Sequence, residues 1–112
     1  MGMTISDLDG GVTKIALAGR MDTTGAGEVE LQFSVASGAR RKIVVDLSAV
    51  EIMTSLAVRI LLMGARTVKS KGGKMALYAP VPTVATVLTM AGVDQLIPLC
   101  ADEAAAVALV VD

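Results

Sequence analysis

Lys42–Leu47 reads Lys-Ile-Val-Val-Asp-Leu, a β-branched and aliphatic run with almost no polar alternation. A strand that shows one face to water alternates apolar and polar residues with a period of two, so a strand without that pattern is covered on both faces. Crossover helices give a largely parallel sheet that double coverage. This one stretch therefore restricts the chain to folds in which strands alternate with helices.

The flanking sequence carries the alternation. Thr4–Leu8, Asp9-Gly10-Gly11 and Val12–Ala18 read as strand, tight turn and strand, an N-terminal hairpin in which glycine supplies positive φ. Gly19-Arg20-Met21-Asp22-Thr23-Thr24 closes the second strand. Either Asp22 or Thr23 can cap the helix that Val29, Phe33 and Ala36 mark over Ala26–Ser37, although Gly25 and Gly27 weaken its first turn. Gly38-Ala39-Arg40-Arg41 is a turn into the central strand. The β-branched run stops at Asp46, a short loop is expected, and Thr54-Ser55 stands before a helix-period segment, Leu56–Lys71. Within it Ala57, Ile60, Leu61, Gly64 and Val68 should face the sheet, with Gly64 permitting close backbone approach. Gly72-Gly73 ends that helix, Lys74–Ala79 is a further apolar strand, and Pro80-Val81-Pro82 turns into a helix over Thr83–Ala91 that stops at Gly92. Leu96–Cys100 is a short last strand, placed at an edge by Pro98, and Asp102-Glu103 opens a closing helix through Val110. The expected architecture is α/β: one domain over residues 1–112, a small mixed sheet with an N-terminal hairpin and crossover helices packed on it.

The start of the segment after the central strand is the candidate site. A hydroxyl at a helix start accepts hydrogen bonds from orphan backbone N–H groups, so Thr54 or Ser55 reads as a cap. The same N–H groups and the positive end of the helix dipole suit an added phosphate, so Ser55 also reads as a switch. Ser55, Arg59, Leu62, Arg66 and Lys69 form a second stripe that mixes cationic heads with apolar bulk. That is either a partner-binding face or a solvated side with one stray leucine, and Met63 beside Leu62 adds to the first reading.

Composition removes other classes. A net charge of −1 gives no basic footprint, and one Tyr and one Phe leave little to stack on bases, so direct nucleic-acid binding is not expected. There is no His for acid–base work, no Gly-rich phosphate loop, and the carboxylates are scattered, so no enzyme, cofactor or metal is expected. Cys100 is the only cysteine, which excludes an internal disulfide and fits a small packing residue in a reducing cytoplasm. Arg59 and Arg66 break the longest apolar stretch, so membrane insertion is not expected, whereas a mean hydropathy of +0.68 leaves sticky faces and an expectation of weak self-association. Met1-Gly2-Met3-Thr4-Ile5-Ser6 fits the loose myristoylation pattern, but the pattern is permissive and Met3 looks like an alternative start. The start also lacks the basic and apolar regions of a signal peptide.

The order of elements and three motifs resemble the STAS domain, the family of bacterial anti-sigma factor antagonists, over nearly the whole chain. Gly19-Arg20-Met21-Asp22 is similar to that family's Gly-x-Leu-Asp turn. Val45-Asp46-Leu47-Ser48 is similar to its strand before the switch, and Lys71-Gly72-Gly73-Lys74 through Ala91-Gly92-Val93-Asp94 to its second half. The resemblance implies a cytoplasmic regulator of transcription that docks an anti-sigma factor or Ser/Thr protein kinase and is phosphorylated on Ser55. Asp22, Thr54, Ser55, Arg59, Leu62 and Arg66 would form the partner surface. The family's switch reads Asp-Ser, a second hydroxyl and Gly-Leu; here Thr54-Ser55-Leu56-Ala57-Val58 replaces the acid and the second hydroxyl. STAS-like domains also serve as non-phosphorylated subunits of larger assemblies, lipid-transport ABC complexes and stress-sensing complexes among them, and this altered switch fits that alternative.

Overall fold

The computed structural model describes residues 2–111; Met1, the first residue of the myristoylation-like pattern, lies outside them. Strand β1 (Met3–Asp7) runs antiparallel to β2 (Thr13–Met21) across a single 3-10 turn, Asp9–Gly11, where Gly10 and Gly11 take φ of 78° and 76°. Helix α1 (Thr23–Ala39) then crosses to β3 (Lys42–Met53), α2 (Ser55–Ser70) to β4 (Lys74–Tyr78), and α3 (Pro82–Met90) with a short turn to β5 (Leu99–Cys100). Helix α4 (Glu103–Val111) follows, and the sheet order is β1-β2-β3-β4-β5 with every pair after the first parallel.

The doubly covered strand is β3, as its composition requires. Ile43, Val45 and Leu47 join α1, α2 and α3 in the larger core, while Val44 joins Val12, Ala76, Tyr78 and the α4 residues Ala106 and Val110 in a smaller core on the other face. Cys100 is half-buried against that smaller core. Among the described residues no helix is long and apolar enough to cross a membrane.

Three expectations are corrected by the packing. The loop expected after Asp46 does not exist, because β3 continues to Met53 beside the C-terminal half of β2. Between the pairs Ala16↔Asp46 and Arg20↔Ile52 the register shifts twice, and each time β3 uses one residue more than β2. These bulges reset the pleat, so Leu47, Val50 and Met53 are all buried at a spacing of three, which no regular strand shows. The last strand begins only at Leu99, since Pro98 has no N–H for the ladder; Val93–Gln95 is a 3-10 turn, while β5 does lie at the edge as expected. Finally, Gly64 faces α1 rather than the sheet. A Cβ there would collide with Phe33 Cε2 and lie 2.8 Å from Ser37 Oγ.

Helix α1 is longer than its internal pattern suggests because both ends are tied from outside. Asp22 Oδ1 accepts a 2.9 Å bond from Gly25 N at the start. At the finish Lys71 Nζ donates to the carbonyls of Ser37, Gly38 and Arg40 at 2.8, 2.7 and 2.9 Å, which places a cation on the negative end of the helix dipole.

Candidate functional surface at the start of the second helix

Because β2, β3 and β4 are parallel, the connections into α1, α2 and α3 gather at one end of the sheet. The first two are bonded to each other. Thr54 takes the N-cap position of α2 with extended backbone (φ −100°, ψ 173°), and its carbonyl accepts the Val58 N–H at 3.0 Å. Its side chain does not cap. Thr54 N and Thr54 Oγ1 both donate to the carbonyl of Met21, at 3.1 and 2.9 Å, pinning the start of α2 to the end of β2 one residue before Asp22. The expected Thr54 cap is thereby corrected: the Thr54 side chain makes no capping bond, and among the described residues no other side chain is bonded to the first N–H groups of α2, which are left to solvent or a ligand.

Ser55 is the first residue of α2, exposed, and its hydroxyl has no hydrogen-bond partner among the described residues. A serine held by capping would be engaged with backbone N–H groups; this one is free for a partner or for modification. Arg59 and Arg66 are exposed on the same side of the helix, and Leu62 between them is half-buried against the core. Arg59 stands one turn on from Ser55 on the same face of the helix, the spacing at which side chains are neighbours. The stripe read from the sequence thus exists as a surface, with Leu62 as its inner border. Met63 does not belong to it. It sits next to Arg59 and Arg66 around the helix, on the side turned toward α1, where it lines a groove of about 390 Å³ shared with Leu31 and Phe33.

Asp22 adjoins this surface. It caps α1 through Gly25 N, and that bond, with smaller help from Arg20, holds its carboxyl below the usual range despite some burial. Arg20 Nε lies 3.5 Å from Asp22 Oδ2 and is well exposed, which adds an arginine beside Asp22 to the two on α2. Sequence reading passed over Arg20. The available signal was its spacing, since residues two apart near a strand end share a face, and Asp22 was already singled out. Ala79 was also missed: it enters the α3 connection with φ 57°, in the left-handed region, and nothing in the sequence around it marks that conformation.

A family model described as "Mlab, STAS domain" matches residues 6–98. No curated protein matches the chain in sequence. Among solved structures, an anti-sigma factor antagonist from Mycobacterium paratuberculosis superposes with a TM-score of 0.88 at 25% identity, over 98% of this chain and 93% of that one. A STAS domain protein from Planctomyces limnophilus superposes with a TM-score of 0.83 at 23% identity, over 96% and 95% of the two chains. The phosphorylated Bacillus cell fate determinant SpoIIAA superposes at 0.72 with 22% identity, over 96% and 97%.

Proposed function

The chain belongs to the STAS domain family, and from that membership and the open start of α2 we propose that it is a cytoplasmic anti-sigma factor antagonist. In this reading it is a binding module with no catalytic role and no direct contact with nucleic acid. Its partner is an anti-sigma factor or Ser/Thr kinase, docked on Asp22, Ser55, Arg59, Leu62 and Arg66, with Thr54 holding the surface in place rather than touching the partner. The observation that carries the proposal is the free, exposed hydroxyl of Ser55 heading an uncapped helix inside an arginine-bearing stripe.

Phosphorylation at Ser55 would add a charge of about −1.5 to −2 where Arg59 and the α2 N-terminus can hold it, so the fold tolerates the group. An interface built for the neutral hydroxyl must instead desolvate a dianion, a mismatch that costs on the order of 2–5 kcal/mol. The test is a titration of wild type, Ser55→Ala and Ser55→Asp against the anti-sigma factor or kinase encoded in the same genome, with phosphosite mapping of protein from its native cell. Wild type and Ser55→Ala should bind alike and Ser55→Asp at least about tenfold more weakly. Equal binding of all three, with no phosphate on Ser55, would replace this reading with the non-phosphorylated subunit of a larger assembly, such as a lipid-transport ABC complex or a stress-sensing complex, which Thr54 in place of an acidic residue favours.

A further inference from the structure

The two edges of the sheet are not alike. β5 is two residues long and follows Pro98, so it offers almost no free ladder. β1 is five residues long and contains no Pro or Lys, and Thr4, Ile5, Ser6 and Asp7 are all exposed.

The hydrogen bonds at its two ends say which backbone groups are free. Ala18 N donates to Gly2 O and Leu8 N to Val12 O, both at 2.8 Å, and both pairs lie on the register Met3↔Leu17 to Asp7↔Thr13. In an antiparallel ladder bonded and non-bonded pairs alternate. Gly2, Thr4, Ser6 and Leu8 therefore bond to β2, while Met3, Ile5 and Asp7 direct their N–H and C=O groups outward, away from the sheet.

We propose that two copies of this chain pair antiparallel through β1 about a two-fold axis at Ile5, joining their sheets edge to edge. That register is self-complementary. Ile5 opposes its own counterpart and Met3 opposes Asp7 twice, so all three outward residues are bonded. A shift either way leaves the groups of Met3 or Asp7 without a partner, and centring on Asp7 would set two carboxylates face to face. On the side of the sheet that carries α1, Ile5, 38% exposed, covers its counterpart. On the other side Thr4 stands opposite Ser6 twice, a cross-strand hydroxyl pairing. The one charge on the strand is already answered within the chain, since Arg40 Nη1 lies 3.4 Å from Asp7 Oδ1.

Five residues span about 17 Å, and the contact falls below the roughly 800 Å² per partner of a stable complex, so the dimer is weak. Sedimentation velocity on the wild type should show monomer at about 10 μM and a rise toward twice that mass at about 1 mM. Ile5→Pro removes an outward N–H and no bond to β2, so it should stay monomeric with an unchanged thermal midpoint, whereas Thr4→Pro should lower the midpoint. In a Cys100→Ala background, Ile5→Cys should cross-link on mild oxidation, because Cα atoms of a bonded antiparallel pair lie about 5.5 Å apart, within disulfide range; Thr4→Cys, opposite Ser6, should not. Wild type that is monomeric throughout overturns the proposal, as does a dimer that survives Ile5→Pro or cross-links equally at both positions. Should the monomer's Ile5→Pro variant instead lose the anti-sigma partner, the edge belongs to that partner and the self-pairing is wrong.

Discussion

Thr54 shows how a single hydroxyl can be assigned to the right place and the wrong partner. Its type and position announce a helix start, but the backbone N–H groups of α2 and the carbonyl of Met21 compete for the side chain, and the carbonyl holds it at 2.9 Å. Thr54→Val, which keeps the shape and removes the donor, should lower stability by about 1 kcal/mol in urea denaturation, with Thr54→Ser close to wild type. A capping hydroxyl and one bonded to β2 differ in a second readout. Loss of the β2 bond loosens the β2–α2 junction, so amide exchange at Thr54 should quicken in Thr54→Val, while exchange deep in α2 stays slow. Asp22, by contrast, was legible as a cap because a carboxylate at the N-cap position has a local partner three residues on, Gly25 N, and needs no distant element.

At the scale of elements, the buried face of α2 was readable: Ala57, Ile60, Leu61, Gly64 and Val68 are all buried. What they face was not, since a period of 3.6 gives a direction around the helix axis but does not identify the neighbour there. Gly64 and Gly27 make the difference measurable, because both are helical glycines and only one is crowded. A Cβ at Gly27 meets nothing within 4 Å, so Gly27→Ala should raise stability by about 0.5–1 kcal/mol through helix propensity and a less disordered unfolded chain. At Gly64 the ring of Phe33, 1% exposed, and Ser37 Oγ stand where a side chain would have to go, so both must shift, and Gly64→Leu should cost about 1–3 kcal/mol. Equal changes in denaturation midpoint would mean that α1 and α2 are not in this contact. The bulged half of β3 was illegible for a related reason, as its burial follows pairing with β2 and not a pleat of its own.

Across the whole molecule, α4 is fastened to the sheet by a polar cluster drawn from four elements. Lys14 Nζ lies 3.0 Å from Glu103 Oε1 and 3.8 Å from Asp46 Oδ2, and the Tyr78 hydroxyl donates to Glu103 Oε1 at 2.9 Å. The bonds from Lys14 and Tyr78 hold the Glu103 carboxyl below its ordinary range. Burial pushes Asp46 up, but the Ser48 hydroxyl and N–H and the charge of Lys14 outweigh it and leave Asp46 lowered. Burial first, then Glu103, pushes Tyr78 up to about 12. Carboxylates lowered by folding contribute stability above their unfolded pKa and lose it as pH falls through the folded value. A tyrosine raised by folding contributes below its unfolded pKa and loses that as pH rises through the folded one. Urea midpoints should therefore be level from about pH 5 to 9 and fall below about pH 4 and above about pH 10. Tyr78→Phe should weaken the alkaline fall and Glu103→Gln the acid one, and a fall unchanged in both variants would place its origin elsewhere.

The sequence by itself determined the alternation of strands and helices, the hairpin, the double burial of Lys42–Leu47, the edge position of the last strand and the place of the candidate surface. Each follows from interactions between residues close in the chain, namely periodicity, turn glycines, a missing proline N–H and caps. Only the tertiary structure decided the length of β3, the neighbour of Gly64, the carbonyl that takes the Thr54 hydroxyl, the Lys71 bonds that finish α1 and the side of the sheet on which α4 lies. In each of these the energy depends on groups about 30 or more residues apart in sequence or on which sheet face is still open, and hydrophobic pattern along a single segment does not encode either.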